Sequence, residues 1–351
     1  MFDTDFYIDS YPYQIMLESG YDLNKRIIHK NLEKLRSREP YVYNIETTNA
    51  CNMRCKMCPR TTKMTRPVET MDRKLFEKIV EQLEPLPKHK WNRWIKFVRN
   101  VYKIDENDMS ENHFFLYIIP KVLQLHGYGE PLLDKNMPHY IKILKEKNIQ
   151  SYFSCNPSNI VLDRTIKMFE NGLDYIKYSI ESVDDKKHKK IRGEASNFTT
   201  AYEKILRLLD TKKEQGYKTT IVITMLDLNR KNQAEEYQKL KDAFKDLNVY
   251  IYLKSEDQLW YRQDYHKTKS IHWSEFCKHP WMSMTIKSNG EAAMCMEDYN
   301  NEIVLGDTRK DTLHKIWNGY KYRKFRRQHF LGNGSLKCRN ECDMKIVGEY
   351  N

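Results

Sequence analysis

Short apolar runs alternate with amphipathic segments along most of the chain. Runs rich in β-branched and aromatic residues are typical of buried strands, and the segments between them carry apolar residues at helical spacing. The predicted strands are 41–48, 121–126, 149–155, 174–180, 218–225 and 248–254, and the predicted helices between them are 72–84, 138–147, 162–171, 199–215 and 231–246. This alternation predicts an α/β fold with a parallel sheet and right-handed crossovers.

Two segments do not follow this alternation of strands and helices. Residues 1–40 contain one apolar stripe, from about Leu23 to Arg36, which predicts a helix in an N-terminal extension that packs on the sheet domain. An insert, residues 85–120, places Trp91, Trp94 and Phe97 at helical spacing among lysines and arginines. Such a helix either covers the end of the sheet opposite the strand C-termini or forms a surface for a partner or self-association.

The C-terminal part predicts a small second domain. A polar segment, 256–270, separates it from the core, 41–255. The turn at 287–290, Lys-Ser-Asn-Gly, joins two alternating stretches and predicts a hairpin, and helices are predicted at 312–317 and 320–329. We therefore expect an N-terminal extension, a core with an insert, and a domain at 256–351.

Charge and hydropathy narrow the class of protein. The chain of 351 residues has 60 basic and 48 acidic side chains, a formal charge of +12. This balance is compatible with an anionic partner, although basic proteins without one are common, and no RNA-binding motif supports nucleic acid. No apolar run is long enough to span a membrane. The acidic N-terminal segment lacks a signal-peptide pattern, so we expect a cytoplasmic protein with reduced thiols.

Three cysteines follow the first predicted strand at CxxxCxxC spacing: Cys51, Cys55 and Cys58. Three thiolates on one tight loop can hold three irons of a cubane cluster and leave the fourth iron open to a small chelating molecule. A zinc knuckle is the alternative, but zinc usually requires a fourth ligand, and none lies close in the sequence. The spacing therefore favours an iron–sulfur cluster.

This loop resembles the radical S-adenosylmethionine (radical SAM) superfamily. Strand 2 ends in Gly127-Tyr128-Gly129-Glu130-Pro131, which is similar to the family's GGEP motif with Tyr128 inserted. The resemblance implies a partial (β/α)6 TIM-like barrel with its chemistry at the strand C-termini. It also implies a [4Fe–4S] cluster that binds SAM and cleaves it to a 5′-deoxyadenosyl radical, with an electron donor such as flavodoxin or ferredoxin.

The resemblance also implies roles for individual residues. Glu130 would accept a hydrogen bond from the SAM ammonium, and Gly127 and Gly129 would let the backbone approach the ligand. Ser179 would contact the SAM ribose or carboxylate, and Arg192 would bind the carboxylate. Met57, where many members have an aromatic residue, would reach adenine through its backbone.

Four further cysteines lie in the C-terminal part: Cys277, Cys295, Cys338 and Cys342. Their layout resembles the SPASM/twitch domain of radical SAM enzymes, and four cysteines imply its shorter form with one auxiliary [4Fe–4S] cluster. A structural zinc site with four thiolates is the alternative. Four protein thiolates leave no open iron, so such a cluster suits electron transfer.

Three functions follow from these patterns. The first is net oxidation of a small polar molecule or a peptide, by dehydrogenation or cross-linking, with the auxiliary cluster accepting an electron. The second is redox-neutral epimerisation, in which Cys155, at the end of strand 3, returns a hydrogen atom. The third is a non-enzymatic iron–sulfur or zinc protein that binds a partner through the insert.

Overall fold

A computed structural model of the chain describes residues 1–255, 277–332, 336 and 338. The predicted polar segment 256–270 and Cys342 lie outside the described residues. Within them, no helix is both long and apolar enough to cross a bilayer.

The six predicted strands form a parallel sheet, and three further strands extend it. They are β1 (Val42–Ile45), β2 (Val122–Gln124), β3 (Gln150–Cys155), β4 (Tyr175–Ser179), β5 (Thr220–Asp227), β6 (Tyr250–Ser255), β7 (Met284–Ile286), β8 (Glu291–Ala293) and β9 (Val304–Asp307). Their order is β6-β5-β4-β3-β2-β1-β7-β8-β9. β7 runs parallel to β1, whereas β8 and β9 continue antiparallel. The α/β class and the open, partial barrel are confirmed.

Helices cover the sheet and form both terminal regions. They are α1 (Thr4–Glu18), α2 (Lys25–Leu35), α3 (Pro59–Thr62), α4 (Arg73–Glu81), α5 (Lys88–Val101), α6 (Glu111–His113), α7 (Met137–Glu146), α8 (Leu162–Glu170), α9 (Asp185–Arg192), α10 (Phe198–Glu214), α11 (Gln233–Ala243), α12 (His279–Met282), α13 (Leu313–Trp317) and α14 (Tyr320–Leu331). Several begin at a capping side chain. Asp72 accepts from the Leu75 N–H at the start of α4, and Asn197 accepts from the Thr200 N–H at the start of α10.

Alternate strand residues pack into two separate apolar layers. On β3, Phe153 belongs to the layer that also contains the helix residues Phe76 and Tyr140. Its neighbour Tyr152 belongs to the other layer, with Val122 and Phe114. Because successive side chains on a strand point to opposite faces, one layer lies under the helices and the other fills the concave side of the sheet.

The insert supplies much of the concave layer. Trp94 of α5 is fully buried and donates its indole N–H to the Leu116 carbonyl at 2.6 Å. The basic residues of α5 pair with α1: Arg93 with Asp5 and Asp9, and Lys90 with Asp5. An amphipathic helix that packs its aromatic face on the N-terminal end of the sheet therefore accounts for this segment.

The N-terminal extension contacts more than the core. α1 packs on α5, whereas α2 packs on α14 of the C-terminal region. At that contact the buried guanidinium of Arg326 bonds to Glu33 at 2.7 Å and lies over the ring of Trp317. Trp281 also donates to Glu33, at 2.8 Å. The expectation that this extension packs on the barrel is therefore incomplete, because α2 joins it to the C-terminal region.

Candidate active site

The loop that carries the three clustered cysteines is held by the end of α9. The backbone N–H of Arg54 donates to the Arg192 carbonyl, and that of Lys56 to the Ile191 carbonyl, each at 3.0 Å. Cys58 then caps α3, whose first residue is Pro59. These bonds fix the backbone on both sides of Cys55.

Gly193 permits this contact. Its φ of +99° lies in the region that favours glycine, and a Cβ there would come within 2.9 Å of the Arg54 backbone nitrogen. A larger residue would therefore push α9 away from the cysteine loop. In the sequence, Gly193 directly follows a basic segment, which is typical of a helix end. The sequence does not show that this helix end contacts the cysteine loop.

Two thiols of this loop, those of Cys51 and Cys58, are poorly placed to ionise by themselves. Burial raises the pKa of Cys58 to about 11 and also raises the pKa of Cys51. A bound cationic group would favour the thiolates and release their protons. Three thiols on one loop, with an arginine at Cys55, are a donor set that fits an iron–sulfur cluster.

Arg192 lies directly beside this loop. One guanidinium nitrogen is 3.7 Å from the Cys55 Sγ, and another pairs with the fully buried Glu181. The Arg192 Nε is buried and has no hydrogen-bond partner among the residues described. The Nε–H is thus available to a ligand, while Glu181 holds the guanidinium in place.

Glu130 is buried at the end of the Gly-Tyr-Gly-Glu turn. Its backbone N–H donates to the Ala50 carbonyl at 2.8 Å, which brings it next to the cysteine loop. Its carboxyl group accepts from the backbone N–H groups of Leu132 and Asn156, at 3.1 and 2.8 Å. Burial raises its pKa to about 7, against these bonds. A cationic ligand group beside this carboxyl would favour its ionised form.

The two glycines of this turn pack against the end of β1. A Cβ on Gly127 would lie 2.3 Å from the Glu46 carboxylate, and a Cβ on Gly129 would lie 2.0 Å from the Thr48 carbonyl oxygen. Glycine is therefore required at both positions because the turn lies so close to the end of β1.

Ser179, Met57 and Cys155 occupy different surroundings. Ser179 ends β4 opposite Thr224, on the same face as Lys177, whose ammonium lies over the Tyr152 ring in the concave layer. Met57 is half-buried within the cysteine loop. Cys155 belongs to the layer under the helices and its Sγ lies 3.7 Å from the Lys177 carbonyl. Burial raises the pKa of Cys155 well above its usual value.

The described C-terminal cysteines lie on three separate segments. Cys295 follows β8, Cys277 precedes α12, and the Cys338 Sγ lies 3.7 Å from the His329 Nδ1. Within residues 1–255, 277–332, 336 and 338, no three His, Cys, Asp or Glu side chains are gathered as a site for one metal ion. The thiol donors fit an iron–sulfur cluster. The nearby Tyr322 hydroxyl is buried and has no hydrogen-bond partner in the described part. Burial raises the pKa of Tyr322, and Cys295 raises it further.

A network that the sequence analysis missed joins the two cysteine regions. Glu46, fully buried after β1, accepts from Arg66 at 2.5 and 2.6 Å, from the Tyr128 N–H at 3.1 Å and from Ser288. Burial alone would raise the pKa of Glu46, but Lys287 and Arg66 hold it below its usual value. In the sequence, a carboxylate just beyond a barrel strand could have marked Glu46 as a candidate. Its partners could not be predicted, because they are distant in sequence.

Tyr128, the residue inserted in the glycine motif, completes the junction. Its hydroxyl donates to the Glu297 carboxylate at 2.5 Å, and its ring packs edge-to-face with that of Tyr299. Glu297 lies two residues after Cys295. The turn that carries Glu130 and the loop that carries Cys295 are therefore in direct contact.

Comparison with known families identifies the class of this arrangement. The model of the radical SAM superfamily matches residues 45–240, more than half of the chain. The chain therefore belongs to the radical SAM superfamily, as its cysteine loop and Gly-Glu-Pro turn predicted. A second model, SPASM, an iron–sulfur cluster-binding domain, matches residues 277–343.

One solved structure supports the fold, and two others show a weaker likeness. The structure of anSMEcpe with bound AdoMet superimposes with a TM-score of 0.54 at 14% identity, over 88% of this chain and 88% of that one. BtrN in complex with AdoMet and 2-DOIA gives 0.49 at 17% identity, over 85% and 91%. SuiB of Streptococcus suis bound to the precursor peptide SuiA gives 0.42 at 13% identity, over 96% and 83%. A search of curated proteins finds no match.

Family and domain together define the cofactors. A radical SAM domain binds a [4Fe–4S] cluster and SAM, and a SPASM domain binds an additional auxiliary iron–sulfur cluster. The protein is therefore a radical SAM enzyme with two kinds of iron–sulfur centre.

Proposed function

We propose that this enzyme oxidises a small polar molecule or a peptide, by dehydrogenation or by forming a cross-link. When bound, SAM and the two clusters supply a radical that removes a substrate hydrogen atom and an acceptor for the electron that the substrate radical then releases. The observation that carries the proposal is the 2.5 Å bond from Tyr128 to Glu297. It joins the turn that carries Glu130 to the loop that carries Cys295, and this contact between the two regions supports electron transfer between them.

The chain's own residues divide into three tasks. Cys51, Cys55 and Cys58 hold the SAM-binding cluster, and Cys277, Cys295, Cys338 and Cys342 hold the auxiliary one. Glu130 would bind the SAM ammonium, Arg192 would bind its carboxylate through the Nε that has no partner in the described part, and Ser179 and the Met57 backbone would complete the site. Gly127 and Gly129 keep the motif against β1.

Charge and thiol content support the remaining assignments. The net charge of +12 suits a substrate with an anionic group and an acidic electron donor such as flavodoxin or ferredoxin. Eight cysteines, seven of them in the two metal sets, suit the reducing cytoplasm.

The epimerase hypothesis receives less support from the geometry. Cys155 shares a face with Phe153, in the layer under the helices, while Tyr152 and Lys177 line the concave side. A thiol that returns a hydrogen atom must reach the substrate radical, so a thiol packed among helices is poorly placed for this task.

One experiment separates these hypotheses. The reconstituted protein is incubated without oxygen in deuterated water with SAM, a reductant and a metabolite or peptide extract, and products are analysed by mass spectrometry. We expect a product two hydrogen atoms lighter than a consumed compound. The Cys277→Ala/Cys295→Ala variant should still form 5′-deoxyadenosine but not this product. A product of unchanged composition that contains one solvent deuterium would instead establish epimerisation and contradict the proposal.

A further inference from the structure

A buried lysine lies at the loop of Cys295. Lys287 occupies the turn between β7 and β8, and its side chain is fully buried. Its Nζ donates to the Met296 carbonyl at 2.8 Å, and Met296 directly follows Cys295. The ammonium is thus bound to the segment that presents the Cys295 thiol.

The charges around Lys287 come from both domains. Glu46 and Arg66 belong to the core, and Arg66 pairs with Glu46. Asp298 is fully buried in the C-terminal domain and accepts from the backbone N–H groups of Glu302 and Ile303, each at 2.8 Å. Lys287 is therefore close enough to the anions Glu46 and Asp298 and the cation Arg66 to interact with their charges. Arg66 donates to the Tyr299 carbonyl at 2.8 Å, whereas Lys287 donates to the carbonyl of Met296, the residue next to Cys295.

A fixed cation has a definite effect on a nearby redox centre. Reduction adds one negative charge to an iron–sulfur cluster, and nearby charges and solvent exclusion set its potential. Because the Lys287 side chain is excluded from water, its field is weakly screened. The reduced form of a cluster at Cys295 gains more from this field than the oxidised form does.

We propose that Lys287 raises the reduction potential of the auxiliary cluster and so makes it a better acceptor of the electron that leaves the substrate. The consequence for catalysis rests on the proposed oxidation. The effect on the potential does not, since it requires only a cluster at Cys295. An experiment can therefore reject the effect of Lys287 on the potential without rejecting the proposed oxidation, and the reverse.

The test is a redox titration of the auxiliary cluster alone. The full-length protein carries Cys51→Ala, Cys55→Ala and Cys58→Ala, so that only the auxiliary cluster remains, and its reduction is followed by electron paramagnetic resonance. Lys287→Met and Lys287→Gln remove the charge, and Lys287→Arg retains it. The control is Lys310→Met in the same domain, where the side chain is 79% exposed.

We expect both neutral variants to lower the equilibrium constant for reduction at least tenfold, about 59 mV for a one-electron couple. The Arg variant and the Lys310→Met control should stay close to the parent protein. Unchanged potentials in the neutral variants overturn the proposal, as does an equal shift in the Arg variant. Loss of auxiliary iron in both neutral variants, with iron retained in the Arg variant, also overturns it, because Lys287 would then hold the loop together.

Discussion

At the scale of single residues, the carboxyl group of Glu130 gives the cofactor-free protein a defined pH dependence. Burial raises its pKa from 4.5 to about 7. Between these values the folded protein holds a proton that the unfolded chain has released, so the free energy of unfolding falls as pH rises through this window. The contribution of this group to the fall is at most about 3 kcal/mol.

Urea denaturation at pH 5 and pH 7.5 measures this contribution. The difference in unfolding free energy between the two pH values should be smaller in Glu130→Gln than in wild type, because the amide does not titrate. An equal difference in both proteins would show that Glu130 is not buried as described.

The same variant, Glu130→Gln, should bind SAM at least about tenfold more weakly in the holoenzyme, because a charge-assisted hydrogen bond to the SAM ammonium is lost.

Residue types and their spacing identify the cysteine loop and Glu130 from the sequence. They do not identify the buried network of Glu46 and Lys287. Cys51, Cys55, Cys58 and Glu130 are recognisable because their chemistry and spacing repeat a known motif. Glu46 and Lys287 are separated by more than 200 positions, and only the pairing of β1 with β7 brings them together. No local pattern encodes such a pairing, so sequence reasoning could not find this network.

At the scale of elements, the contact of α2 with α14 is a buried ionic junction. Arg326 is fully buried and its main anionic partner is Glu33, which also accepts from Trp281. Glu33→Ala leaves the guanidinium without that charge, which we expect to lower the free energy of unfolding by about 3 kcal/mol.

The matched control is Asp311→Ala, which removes an exposed pair with Lys315 and should cost about 0.5 kcal/mol or less. Chemical denaturation of both variants gives the comparison. Similar, small losses in the two proteins would mean that α2 does not stabilise the C-terminal region.

The elements themselves were predictable to different degrees. The six core strands and the five helices predicted between them lie within a few residues of their observed bounds, whereas α9 was not predicted. α1 was not predicted because Pro12 and several tyrosines obscure any apolar stripe in its sequence. In the structure, its residues Phe6 and Tyr7 are buried. β9 was missed because four residues that include Gly306 give little strand signal. The periodicity of α2 revealed its apolar face, but not that α14 covers it.

At the scale of the whole molecule, the core and the C-terminal domain share one nine-stranded sheet. Through β1 and β7 the sheet brings together two cysteine regions that lie more than 200 residues apart. This continuity holds the two cysteine regions in a fixed arrangement, which the proposed electron transfer would require. A flexible tether between two separate domains would not do so.

The most direct test of this account is anaerobic cleavage of SAM by the reduced, reconstituted enzyme, measured together with iron content. We predict about eight irons per chain from two [4Fe–4S] clusters and formation of 5′-deoxyadenosine. The Cys51→Ala/Cys55→Ala/Cys58→Ala variant should keep about half of the iron and form none. A wild-type protein that carries both clusters but produces no 5′-deoxyadenosine, or one that holds one zinc and four irons, would contradict the account.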